Sequence, residues 1–107
     1  MLHFLKDFDV QVIPFHDRVD VVVSGEVDLH TAGRLRDALI GLADDGHRHA
    51  VVDLSGVTFI DSSGLAALVS GFKRLRDDGG SLVLRGPSPR AQRVLDITGL
   101  SHVFAIA

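Results

Sequence analysis

Apolar and polar residues change rhythm several times along this chain. From about Val10 to Phe15 they alternate, which predicts a half-buried strand, and Pro14 marks an edge or an end. After the polar turn His16-Asp17-Arg18, Val19-Asp20-Val21-Val22-Val23 reads as a second, more buried strand, so the two predict a hairpin. Gly25-Glu26-Val27-Asp28 is then expected to leave the sheet. Ala32, Leu35, Ala38, Leu39 and Leu42 recur at helical spacing, so a first helix should start near His30-Thr31. Asp44-Asp45-Gly46 should stop it, with Gly46 as a left-handed cap.

Ala50-Val51-Val52-Asp53-Leu54 reads as a buried strand. After Ser55-Gly56, the short apolar piece Val57-Thr58-Phe59-Ile60 leads into an Asp-Ser-Ser-Gly turn. In the helix that follows, Leu65, Leu68, Val69, Phe72 and Leu75 share one face. Lys73, Arg74 and Arg76 lie near its C-terminal end, where cations suit the dipole, and Gly79-Gly80 ends it. Ser81-Leu82-Val83-Leu84 predicts a strand. Ser88-Pro89 predicts a helix start, because proline at the first helical position lacks an N–H that would be unpaired anyway. Ala91, Val94 and Leu95 give that helix an inner stripe, Gly99 is its expected cap, and Val103–Ile106 closes the chain as a short strand. The order β-β-α-β-α-β-α-β predicts an α/β domain with a mixed sheet. No repeat, linker or low-complexity stretch divides it, so residues 1–107 are expected to form one domain.

Composition narrows the function. Apolar residues make up 46% and charged residues 23%, as in ordinary globular proteins. Six Phe with no Trp or Tyr leave little for base stacking, and a net charge of −3 disfavours nucleic acid as a partner. The absence of cysteine removes disulfides, thiol chemistry and zinc–cysteine sites. The start Met1-Leu2-His3-Phe4-Leu5-Lys6 is too short and too soon charged for a signal peptide. No apolar run reaches the ~20 residues that span a bilayer. A cytoplasmic protein with no membrane contact is the simplest expectation.

The chemistry concentrates at Phe59-Ile60-Asp61-Ser62-Ser63-Gly64-Leu65. An apolar segment ends there, and one acid, two hydroxyls and a glycine open a helix. Short polar side chains suit that point because their oxygens accept from unpaired backbone N–H groups. The same N–H groups and the helix dipole accommodate phosphate. Ser62 is thus either a capping hydroxyl or a place to add and remove a phosphoryl group, and Asp61 is the better candidate for the cap itself. Ser63, Ala67, Ser70 and Arg74 fall away from the Leu65/Leu68/Phe72 stripe, so this row of small side chains is either solvated or open to close approach by another protein. His30, His47 and His49 lack a carboxylate or cysteine at ligand spacing, so solvated loops explain them and no metal or other cofactor is expected. A nucleophilic serine enzyme would want Gly-x-Ser-x-Gly, and a nucleotide-binding module Gly-x-x-x-x-Gly-Lys-Ser/Thr; both are absent.

Three pieces together resemble a STAS domain, the fold shared by sulfate-transporter tails and bacterial anti-sigma-factor antagonists. They are Gly25-Glu26-Val27-Asp28 with Thr31-Ala32, Val52-Asp53-Leu54-Ser55, and Phe59 through Leu65. Ser88-Pro89 and Gly99-Leu100 fall where that family has its third helix and that helix's end, and the length suggests a free-standing module. Relatives usually continue into a final helix, whereas this sequence stops at Ala107, and Ala66 stands where they often carry glycine. In the antagonist branch the first serine of the block is phosphorylated by an anti-sigma factor that is also a serine kinase. The resemblance therefore implies Ser62 as the modified residue, loss of anti-sigma binding on phosphorylation, and a PP2C-type phosphatase that resets it. Asp28, Thr31, Asp61, Ser63, Gly64, Ala67 and Ser70 are the expected partner-contact residues, with Gly64 also expected to allow close packing or a tight entry into the helix. A STAS scaffold that binds partners without phosphorylation, or one that binds nucleotide, is the alternative.

Overall fold

The computed structural model describes residues 7–107; the N-terminal run that argued against a signal peptide lies outside them. Five strands form one sheet in the order β1-β2-β3-β4-β5. They are β1 (Asp9–Pro14), β2 (Val19–Val27), β3 (His49–Ile60), β4 (Ser81–Arg85) and β5 (Ala105–Ile106). β1 runs antiparallel to β2, as the hairpin requires, and β2, β3, β4 and β5 are parallel neighbours. The parallel pairs are joined by helices α1 (Ala32–Asp44), α2 (Ser62–Asp77) and α3 (Pro89–Thr98), with a short 3-10 turn, Leu100–His102, before β5. This is the mixed α/β architecture expected from the sequence.

The strands hold their places because alternate residues enter one core. Val19, Val21, Val23 and Val27 of β2 are fully buried, as are Val52 and Leu54 of β3 and Leu84 of β4. The helical stripes meet them through Leu35, Leu39, Leu68, Leu75 and Leu95. Each such side chain contributes about 1.5–3 kcal/mol when removed from water. Gly46 and Gly99, the two expected caps, both adopt the left-handed conformation, at φ 89° and 78°.

Val103 and Phe104, expected in the last strand, precede it, and two boundaries further inside the sheet also differ from expectation. Gly25-Glu26-Val27 stays in β2, because its backbone still pairs with Val57, Phe59 and Ile60 of β3. Ser55-Gly56 does not break β3, which runs unbroken to Ile60. The extra residues are absorbed as register shifts between Val22 and Ser24 and between Gly25 and Glu26. Asp53 supports the first irregularity by accepting hydrogen bonds from the Ser55 N–H at 2.9 Å and the Ser55 hydroxyl at 2.7 Å. A Ser-Gly pair thus makes a kink inside a strand rather than a turn.

Small residues bring α2 close to its neighbours. A methyl placed on Gly71 would lie 2.8 Å from the Cβ of Leu39 on α1. One on Gly64 would lie 2.9 Å from the Val27 carbonyl oxygen. Gly41 on α1, by contrast, has open space around it.

On the other side of the strands, Asp20 is the one buried charge among the described residues. Its carboxylate accepts from the Arg18 Nε at 2.9 Å and from an Arg85 terminal nitrogen at 3.1 Å. The Arg85 Nε also donates to Asp53 at 3.2 Å, so one guanidinium bridges β2, β3 and β4. The hydrogen bond from Arg18 outweighs the cost of burial and, with Arg85, holds the Asp20 carboxyl below its ordinary value. Burial is the largest influence on Asp53 and opposes ionisation, but the Ser55 hydroxyl and N–H and then Arg85 overcome it, so its pKa is also lowered.

Two predictions follow from this packing and this ion network. Gly41→Ala should stabilise the protein by about 0.5–1 kcal/mol through helix propensity. Gly71→Ala, the same change on α2, should destabilise it by about 1–2 kcal/mol, because overpacking against Leu39 exceeds that gain; thermal melting checks the opposite signs. Both carboxyls have folded pKa values below the unfolded one, so their stabilisation is present above the ordinary carboxylate pKa of 3.8 and is lost as pH falls through the lowered folded values. Asp20→Asn should therefore cost about 1–3 kcal/mol at neutral pH, and its Tm difference from wild type should shrink as the pH is taken below that range.

Candidate functional site

Parallel strands place the turns that follow them at one end of the sheet. The turn after β2 and the turn after β3 are therefore neighbours, and Val27 pairs with Ile60 at the strand ends. The Asp61 N–H donates to the Val27 carbonyl at 3.3 Å, which fixes the two turns side by side. Such C-terminal strand ends are where open α/β sheets present their working surfaces.

The start of α2 is organised by Asp61. Its backbone is extended, and its carboxylate accepts from the Ser63 N–H at 2.9 Å and the Gly64 N–H at 3.2 Å. This is an N-cap, typically worth about 1 kcal/mol. Ser62, at the first helical position, is exposed, and among the described residues its hydroxyl has no hydrogen-bond partner. Of the two roles open to Ser62, capping is thus performed by its neighbour.

The adjoining turn is tied down by Asp28 and Thr31. The Asp28 carboxylate accepts from the N–H groups of His30 at 2.9 Å and Thr31 at 3.2 Å. The Thr31 hydroxyl donates to the Glu26 carbonyl at 2.8 Å and accepts from the Asp28 N–H at 2.9 Å. It does not cap α1. Asp28, Thr31, Asp61, Ser63 and Ser70 are all half-buried, so each retains some surface.

Ala67 is corrected as a contact residue, and Gly64 takes its expected packing role instead of a contact. Gly64 and Ala67 are buried in the packing of α2, with Ala67 only 3% exposed. The physical reason is the close approach described above: Gly64 lies against Val27 and Ile60, and Gly71 on the same helix lies against Leu39. The exposed face of α2 carries Ser62, Ala66, Lys73 and Arg76. Leu29 is a surface residue that the sequence pattern did not single out. It is 76% exposed in the turn beside Asp28. A lone leucine between an aspartate and a histidine, outside any periodic stripe, was the signal for it.

No group of three His, Cys, Asp or Glu among the described residues is arranged to hold a metal ion. His16, His47 and His49 border a cleft with Arg18 and Arg48 beside the β1–β2 hairpin, at the opposite end of the sheet from Ser62. No helix among the described residues is long and apolar enough to cross a membrane.

Comparison with known proteins agrees with this geometry. The family model described as the STAS domain matches residues 9–107. The chain is 36% identical over 101 residues to the anti-sigma-B factor antagonist of Bacillus subtilis (strain 168), covering 94% of this chain and 92% of the relative. It is 39% identical over 90 residues to the anti-sigma-B factor antagonist of Listeria monocytogenes, covering 84% and 79%. The crystal structure of an anti-sigma factor antagonist from Mycobacterium paratuberculosis superposes with a TM-score of 0.84 at 30% identity, covering 94% of this chain and 86% of that one. With a matching family model over nearly its whole described length and antagonists among its relatives, the chain belongs to the STAS-domain family of anti-sigma-factor antagonists.

Proposed function

We propose that this protein, as one domain in the cytoplasm, binds an anti-sigma factor and thereby frees a sigma factor. In this scheme a serine kinase, which is the anti-sigma factor itself, phosphorylates Ser62 and ends the binding, and a PP2C-type phosphatase restores it. The names of the relatives support antagonism. The observation that carries the switch is the Ser62 hydroxyl: exposed, without a partner among the described residues, and relieved of capping duty by Asp61.

The sign of the switch follows from charge. A phosphoserine adds about −1.5 to −2 charges at neutral pH. The helix dipole offsets about 0.3–1 kcal/mol of the resulting strain, while Asp61 next to it in sequence, and Asp28 in the adjoining turn, oppose it. Neither effect is large enough to unfold the domain. Across an interface, like charges cost several kcal/mol, and each ~1.4 kcal/mol is tenfold in affinity. The phosphate therefore acts on the docked partner and leaves the fold intact. Asp28, Thr31, Ser63 and Ser70 border the contact, and the protein serves as the kinase's substrate.

Co-purification from native cells with Ser62→Ala as bait should retain the anti-sigma factor, while Ser62→Asp should bind it at least about tenfold more weakly. Incubation of wild type with that kinase and ATP should place phosphate on Ser62 by mass spectrometry. Phosphate found only on Thr31 or Ser88, or equal binding by both variants, would overturn the proposal.

A further inference from the structure

Beside the start of α2 lies an open groove of about 830 Å³, walled by Phe59 and Ile60 of β3 and by Val94 and Ile97 of α3. Its apolar character is not hidden: Ile97 is 72% exposed and Phe59 38%. Arg90 and Arg93, one turn apart on α3, stand on its rim. Among the described residues neither makes an ion pair or side-chain hydrogen bond. The rim's acid, Asp96, is occupied by the Gln92 amide at 2.9 Å.

We propose that this groove seats a segment of the anti-sigma factor that carries an apolar side chain flanked by carboxylates. The inference rests on the antagonist function above and extends the contact from Ser62 to α3. Continuity places the occupant. Phe59-Ile60 runs directly into Asp61-Ser62, so a protein that covers Ser62 also covers the mouth of the groove. Chemistry specifies it. An apolar floor takes an aliphatic or aromatic anchor, the usual centre of a protein interface, and two uncommitted guanidiniums take carboxylates in bidentate geometry. The same acidic segment explains why phosphorylation expels the partner, since its carboxylates would then face a dianion at Ser62.

The test is calorimetric titration of the full chain with the purified anti-sigma factor retained by Ser62→Ala. Ile97→Asp and the double variant Arg90→Glu/Arg93→Glu should each raise Kd at least about tenfold. Both alter exposed side chains, so their melting curves should match wild type. The double variant should also lose the weakening by salt that wild type shows. His16→Glu, an equally exposed change at the far end of the sheet, should shift Kd by less than about twofold. If wild type and both groove variants bind alike while Ser62→Asp does not, the groove proposal is overturned and the switch stands. If wild type binds no anti-sigma factor, both fall.

Discussion

The carboxylate of Asp61 accepts the N–H groups of Ser63 and Gly64, and the geometry around Ser62 depends on that one cap. A helix start leaves backbone donors that some oxygen must satisfy. Because Asp61 satisfies two of them, Ser62 can begin the helix with its own hydroxyl turned to solvent. Adjacent residues thus divide the labour: the Asp61 side chain holds the backbone, and the Ser62 hydroxyl is left without a partner among the described residues, which is what the proposed switch requires.

The cap works only where the rest of the fold puts it. The Asp61 N–H is anchored to the last residue of β2, and Gly64 lets α2 come down on Val27 and Ile60 without a side chain in between. Gly71 repeats the device against α1 one stretch further along. Gly64, Ala67 and Gly71 therefore serve the interior. This leaves the outer face of the helix to Ser62, Ala66, Lys73 and Arg76, and the adjoining turn to Asp28 and Leu29. At the strands' other side, Arg85 holds Asp20 and Asp53 together across three strands and acts as a clamp on the sheet.

Much of this was legible in the sequence because it is local. Strand alternation, the leucine stripes of the helices, Gly46 and Gly99 as caps and the Ser88-Pro89 helix start all express the preference of a few neighbouring residues, and all appear where expected. Asp61 as a cap and Ser62 beside it belong to the same class. The departures from local preference also share a cause. Ser55-Gly56 has the composition of a turn, but pairing with β2 on one side and the Asp53 hydrogen bonds kept it in the strand. Gly25 through Val27 looked like an exit from the sheet until β3 offered them partners.

What the sequence determined alone was the order of elements, the aliphatic core and the identity of the hydroxyl at the helix start, because spacing and capping need only nearby residues. The tertiary structure decided which side of α2 is hidden, since Val27 and Ile60 lie against Gly64 and Leu39 lies against Gly71. It also decided that Phe59, Ile97, Arg90 and Arg93 share one groove next to Ser62. These residues come from a strand and a helix about thirty positions apart, and only the parallel crossover that carries α3 back beside β3 brings them together.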